Sequence, residues 1–280
     1  MPLSSSLPAL KSDLEKAFND CTEKGKSGGP EKILDSLSSD ITNSITKFIN
    51  EALIETDVTV DYIDTGSAGP NAAPVSGKGV GEVTAYESDP LQEEIFKAYM
   101  NVNDSGSKDK ASTPDINKKL GEEISVAILN FSKTIEVTNE VELEAFQSAG
   151  LPPITPASIM AGELGTGKGV GGDSKGLTSL DGPSKSDLAL KIEEAYNKTV
   201  KDGSSDGAKV SKINKDLGDS IGQAVHDFFV SSIVETDVNT DGGTGEAAPA
   251  SMMPAGTSMV PTAPPPMTIP GVGTGTGTIS

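Results

Sequence analysis

The sequence predicts a mainly α protein of three tandem helix-pair modules, each followed by a short strand and an extended Gly/Pro-rich arm. Three observations carry that prediction. One apolar stripe, Leu-x3-Ile-x3-[Ile/Val]-x2-Phe, occurs three times: Leu37, Ile41, Ile45, Phe48; Leu120, Ile124, Ile128, Phe131; and Leu217, Ile221, Val225, Phe228. A second amphipathic stripe precedes each copy, and a β-branched run with a glycine-spaced segment follows it. Repeats of this kind fix the architecture before any single element is read.

The first helix of each module is marked by Leu10, Leu14, Ala17, Phe18; by Leu91, Ile95, Ala98, Tyr99; and by Leu188, Ile192, Ala195, Tyr196. The spacing i, i+4, i+7, i+8 is one face of an α-helix. Positions between are charged, among them Lys11, Asp13, Glu15, Glu93, Glu94, Lys97, Lys191, Glu193 and Glu194. A polar connection rich in Gly, Ser, Lys and Asp ends the helix, as at Lys24–Pro30 and Lys201–Gly207.

The second helix carries the longer stripe, and its twelve residues are the predicted core. Beside it runs a row of small residues four apart: Ser38 and Thr42, Gly121 and Ser125, Gly218 and Gly222. A helix-interior glycine costs about 1 kcal/mol against alanine, so close approach of another helix is the expected compensation. The runs Ile54–Val60, Ile135–Val141 and Val234–Thr240 then read as short strands. The segments Ser76–Gly81, Thr166–Gly171 and Gly271–Gly277 alternate glycine with Lys, Val or Thr, which favours an extended chain with one bare face. Such a segment suits the edge of a sheet or another backbone. The module boundaries fall at residues 1–86, 87–177 and 178–280, the last ending in a proline-rich arm.

Composition narrows the class. The 280 residues are 35% apolar and 4% aromatic, with no Trp and with 31 Gly and 18 Pro. That is lean for a globular chain. Several small cores separated by open linkers are expected, rather than one large core. The net charge of −19 repels nucleic-acid phosphates and anionic membranes, so neither is an expected partner. Cys21 is the single cysteine, which excludes an internal disulfide; it reads as a small apolar residue partly buried on a helix. The N-terminus has no basic region leading into an apolar run, and no window approaches a membrane span. No signal peptide or transmembrane segment is expected.

Two motifs suggest chemistry and lack its context. Gly162–Lys168 has the spacing of a phosphate-binding loop, but Gly169 stands where a magnesium-binding hydroxyl is required and no helix pattern follows. Asp237, Asn239 and Asp241 match the first half of a calcium loop, but position twelve is Ala248. A turn rich in Asp and Asn accounts for them better. His226, the one histidine, is expected at a surface or helix edge. No catalytic residue, metal or cofactor is assigned, and the chain reads as non-enzymatic.

The start Met1–Pro8, the passage from the Ile41–Phe48 helix into Glu55–Val58 with its counterpart Glu235–Val238, and the tails Gly77–Gly81 and Gly271–Ser280 carry a resemblance. The chain resembles virion structural proteins of contractile-tailed bacteriophages. This implies a capsid decoration or cement protein, or a neck or tail protein, assembled in the host cytoplasm into the virion. Its partners would be other virion structural proteins or copies of itself. The alternative is a secreted or surface-associated binding protein, calcium-assisted through Asp237, Asn239 and Asp241.

Overall fold

The structure is a computed structural model that describes residues 3–25, 29–63, 75–108, 111–143, 146–147, 164–171, 174–175, 185–205, 207, 209–240, 243–244 and 271–279. These residues are mainly helical, with a sheet. The chain order is α1 (Leu3–Lys24), α2 (Pro30–Ile49), β1 (Leu53–Ile63), β2 (Val75–Ala85), α3 (Ser88–Lys108), α4 (Thr113–Ser132), β3 (Glu136–Leu143), β4 (Phe146–Gln147), β5 (Leu164–Gly171), β6 (Ser174–Lys175), α5 (Lys185–Gly203), α6 (Val210–Val230), β7 (Ile233–Thr240), β8 (Gly243–Thr244) and β9 (Gly271–Ile279).

Local signals set the helix boundaries. Pro30 and Pro114 sit in the first turns of α2 and α4, where a missing N–H costs nothing. Ser112 caps α4, its hydroxyl accepting from the Asp115 amide. Helix α1 starts earlier than its stripe and runs through Pro8. The buried Leu3, fully shielded from solvent, anchors that extra turn. Its burial offsets the hydrogen bond that Pro8 cannot make, since burying a leucine contributes about 1.5–3 kcal/mol.

The helices form a closed circuit. Each of α1 to α6 packs on the next, and α6 returns to α1. All twelve predicted stripe residues of α2, α4 and α6 are at most 5% exposed. The shorter stripes of α1, α3 and α5 join them, so one apolar cluster draws on all six described helices. This corrects the expectation of several small cores. The apolar fraction is low over the chain, but it is concentrated in helical stripes that all face one axis. Three helix pairs therefore bury together what none could bury alone.

The strands make a second circuit. β1 pairs with β2, β2 with β3, β3 with β5, β5 with β7, β7 with β9 and β9 with β1, every pairing antiparallel. The glycine-spaced segments are thus hydrogen-bonded strands, not arms standing off the body. The proline-rich parts of the predicted arms, including Pro152–Pro156 and Pro261–Pro266, lie outside the described residues.

Register explains the glycines. Ile54 and Thr56 on β1 are buried, while Glu55 and Asp57 are exposed. Directly opposed residues share a sheet face. Ile54 opposes Gly81 and Thr56 opposes Gly79, so the glycines of β2 lie on the inward face beside the residues that fill it. Lys78, Val80 and Glu82 alternate outward and are exposed. Across β9, Gly277 lies between Thr56 and Val234, Gly275 between Val58 and Thr236, and Gly273 between Val60 and Val238.

Candidate functional site

The features that recur around both circuits lie at the seams where one helix pair meets the next. Two seams, α4–α5 and α6–α1, are built on glycine. A Cβ at Gly121 would stand 2.5 Å from the Ala189 carbonyl oxygen and 3.1 Å from the Glu193 nitrogen. One at Gly218 would stand 2.7 Å from the Glu15 nitrogen, and one at Gly222 2.8 Å from Lys11 Cγ. At Gly121 and Gly218 it is the facing backbone that leaves no room for a Cβ; at Gly222 it is the Lys11 side chain. The third seam, α2–α3, has Ser38 and Thr42 at the matching positions, both buried. Ser38 donates to the Asp35 carbonyl at 2.8 Å, whereas the buried Thr42 hydroxyl has no hydrogen-bond partner among the described residues.

Each glycine seam carries an asparagine clasp. Asn117 Nδ2 donates to Asn197 Oδ1 at 2.9 Å across α4–α5. Asn214 Nδ2 donates to Asn19 Oδ1 at 3.0 Å and to Thr22 Oγ1 at 3.1 Å across α6–α1. Asn117 and Asn214 are buried, so these bonds satisfy groups that water does not reach. At the corresponding positions the α2–α3 seam has Leu34, three residues before Leu37, and Met100, one after Tyr99. Both halves of the polar clasp are replaced together by apolar residues. The clasps escaped sequence reading because an isolated Asn on a helix looks like a solvated position; the offset from the repeated stripe was the available signal.

The axial layer is aromatic. Tyr99 of α3 and Tyr196 of α5 share a hydroxyl–hydroxyl hydrogen bond, and Phe18 stands at the matching position of α1. Burial pushes both phenols above the ordinary tyrosine value, Tyr99 well above it. Cys21 is half-buried against the same core, and its thiol is raised by burial, with Lys24 opposing and Asp40 adding to the rise. At the other end, under the strands, Phe131 meets Phe229 edge-on at 6.5 Å and Tyr86 at 5.7 Å, and Phe228 meets Phe229 at 5.2 Å.

His226 is part-buried on α6. Its side chain is 12% exposed, 6.2 Å from the Phe48 ring and within hydrogen-bonding reach of Ser4 and Asp227. Ser4, at the start of α1, reaches it across the chain. Asp227 in turn accepts from Lys191 and Gln223, each at 2.7 Å, joining α5 to α6. Burial raises its carboxyl, but these hydrogen bonds outweigh that and hold it below the usual carboxylate value.

The two motifs with chemical connotations fall on strands. Lys168 lies within β5, its backbone opposite Glu142 of β3, with β6 rather than a helix following. Asp237 and Asn239 lie along β7, opposite Thr274 and Val272 of β9, in an extended course unlike a calcium loop. Asp241, like Gly162, lies outside the described residues. Among the described residues, no group of three or more His, Cys, Asp or Glu side chains could hold a metal ion, and no helix is long and apolar enough to cross a membrane.

Comparison with protein families, curated proteins and solved structures gives no match. The functional reading rests on the architecture and on the residues that hold it.

Proposed function

We propose that this chain is a non-enzymatic structural component of a bacteriophage virion, at a capsid, neck or tail position, and that it is a covalently fused trimer of one module. The modules are residues 1–86, 87–177 and 178–280. Each contributes a helix pair, an exit strand and a glycine strand. The observation that carries this reading is the return of β9 to β1: the last strand of the chain completes the ring begun by the first. The recurrence of glycine at matched places on α4 and α6, each against the next helix pair, supports it.

A fused trimer differs from a homotrimer in a useful way. Its three lateral faces are similar but carry different side chains, so one molecule can occupy a site of threefold or sixfold symmetry and still mark one direction around it. Three weak contacts on one body sum through effective concentration. The net charge of −19 suits a partner surface that is basic. The partners are other virion proteins or further copies of the chain.

The test is quantitative mass spectrometry of gradient-purified particles from the phage lysate in which the chain is produced. A fixed number of copies per particle, in a ratio of three or six to a symmetric neighbour or one per such ring, supports the reading. Absence from washed particles, with the chain recovered only in the soluble lysate, overturns it.

A further inference from the structure

Strand β9 is the element on which closure depends. It pairs with β7 from Ile233↔Thr278 to Thr240↔Gly271, and with β1 from Ile54↔Ile279 to Ile63↔Gly271. The second ladder is interrupted by one irregularity, between Val60 and Tyr62. β9 therefore saturates two strand edges at once. Without it, β1 and β7 would each present a row of unpaired amides and carbonyls, which folded proteins avoid leaving open.

We propose that β9 is an exchangeable closing strand, accepted between β1 and β7 of a second copy of this chain as well as by its own. Three features favour exchange. First, β9 has glycine at 271, 273, 275 and 277. Glycine loses more conformational freedom on ordering than any other residue and contributes no side chain to packing, so these positions are held by the two backbone ladders and not by side chains. Second, those glycines oppose the residues of β1 and β7 at every second position, so the slot selects a strand with a bare face. A second copy offers that pattern by construction. Third, residues 245–270 separate β8 from β9, a contour on the order of 90 Å at full extension. Residues 64–74 make the shorter link between β1 and β2. The 245–270 link is enough in length for β9 to reach a neighbouring copy.

The exchange conserves every backbone pairing. The slot in one chain is filled by β9 of another, and the edges are satisfied in either arrangement. Strand addition of this kind joins identical subunits without a new interface. A copy whose own slot is filled by a neighbour can pass its β9 onward, so the same step closes a pair or extends a row. The proposal is a property of the isolated chain and stands or falls apart from any virion address.

Glu55 and Thr278 are direct register partners. Paired strand positions lie within disulfide range. Two full-length variants are made in a Cys21→Ser background, one with Glu55→Cys and one with Thr278→Cys. They are mixed, opened briefly in sub-denaturing urea, returned to buffer and oxidised. The double variant, Glu55→Cys with Thr278→Cys, is the reference for the intramolecular bond. A disulfide-linked heterodimer that contains one of each single variant, in excess of the homodimers each forms alone, supports the exchange. Closure of the internal bond in the double variant, with no excess heterodimer in the mixture, overturns it. Failure of the double variant to close its internal bond overturns the seating of β9 against β1, and the proposal with it.

Discussion

Asn117 on α4 donates its side-chain amide to Oδ1 of Asn197 on α5 at 2.9 Å, and the pair has an apolar counterpart at the α2–α3 seam in Leu34 and Met100. A buried amide that loses its partner costs about 1–3 kcal/mol, whereas replacing both partners by apolar groups is close to neutral. Asn117→Leu alone should therefore destabilise the chain by about 1–3 kcal/mol. Adding Asn197→Met should recover most of the loss. Urea denaturation of both single variants and the double variant, read as a double-mutant cycle, measures the coupling. Additive losses would mean that the two asparagines act independently.

The glycine seams make a steric prediction. Gly121→Ala would put a methyl group 2.5 Å from the Ala189 carbonyl oxygen, a fixed backbone atom on the facing helix. The gain in helix propensity, about 1 kcal/mol, cannot offset the separation of α4 from α5. Overpacking of this kind costs about 1–3 kcal/mol, and the melting temperature should fall by several degrees. Gly203→Ala is the control, because its nearest neighbour would be the flexible Ile213 side-chain tip at 3.9 Å. It should leave the melting temperature unchanged or slightly raised. Equal losses at both positions would show that seam distance is not the cause.

Much of this was legible in the sequence because helical periodicity is local. The stripe Leu37, Ile41, Ile45, Phe48 states its own face, and its two repeats state it again. The small residues at 121, 218 and 222 were legible as a need for close approach, but not as to which helix approaches. What stayed hidden depends on distant pairing. Nothing local to Gly271–Ile279 says that it reaches both β1 and β7, since register is a property of two strands and not of one. The same holds for His226: its contact with Ser4 comes from more than two hundred residues away. Pro8 points the other way, toward a helix that begins later, and the burial of Leu3 overrides it.

The tyrosine pair predicts an alkaline limit. Burial raises both phenols in the folded chain, so the folded state favours their neutral form. For a group whose folded value is raised, the stabilisation is complete below the unfolded value, about 10 for tyrosine, and is lost as the pH rises above it. Stability should be flat in this respect up to about pH 10 and then fall. Tyr99→Phe should cost about 1–2 kcal/mol at neutral pH, because the Tyr196 hydroxyl loses its hydrogen bond to Tyr99. Tyr99→Phe with Tyr196→Phe should recover stability and flatten the alkaline limb relative to the parent. Urea midpoints between pH 7 and 11 for the three proteins separate these outcomes, and an unchanged limb in the double variant would assign the alkaline loss to other groups.

Thr42 makes the opposite prediction, a substitution that stabilises. Its side chain is 3% exposed on α2, at the repeat position held by Ser125 on α4 and Gly222 on α6. Ser125 turns its hydroxyl onto the Glu122 carbonyl at 2.8 Å, and Gly222 has no hydroxyl to satisfy. Thr42 Oγ1 alone among these is buried without a partner among the described residues. A hydroxyl in that state costs about 1–3 kcal/mol, and valine has the same shape without it. Thr42→Val should raise the melting temperature by several degrees, and calorimetry of the full chain measures it. Thr42→Ser, which keeps the hydroxyl and gains the freedom to turn it onto a backbone carbonyl as Ser125 does, should recover part of that gain less the lost methyl. If Thr42→Val instead lowers the melting temperature while Thr42→Ser does not, the hydroxyl is satisfied in solution and the α2–α3 seam admits water where the two glycine seams exclude it.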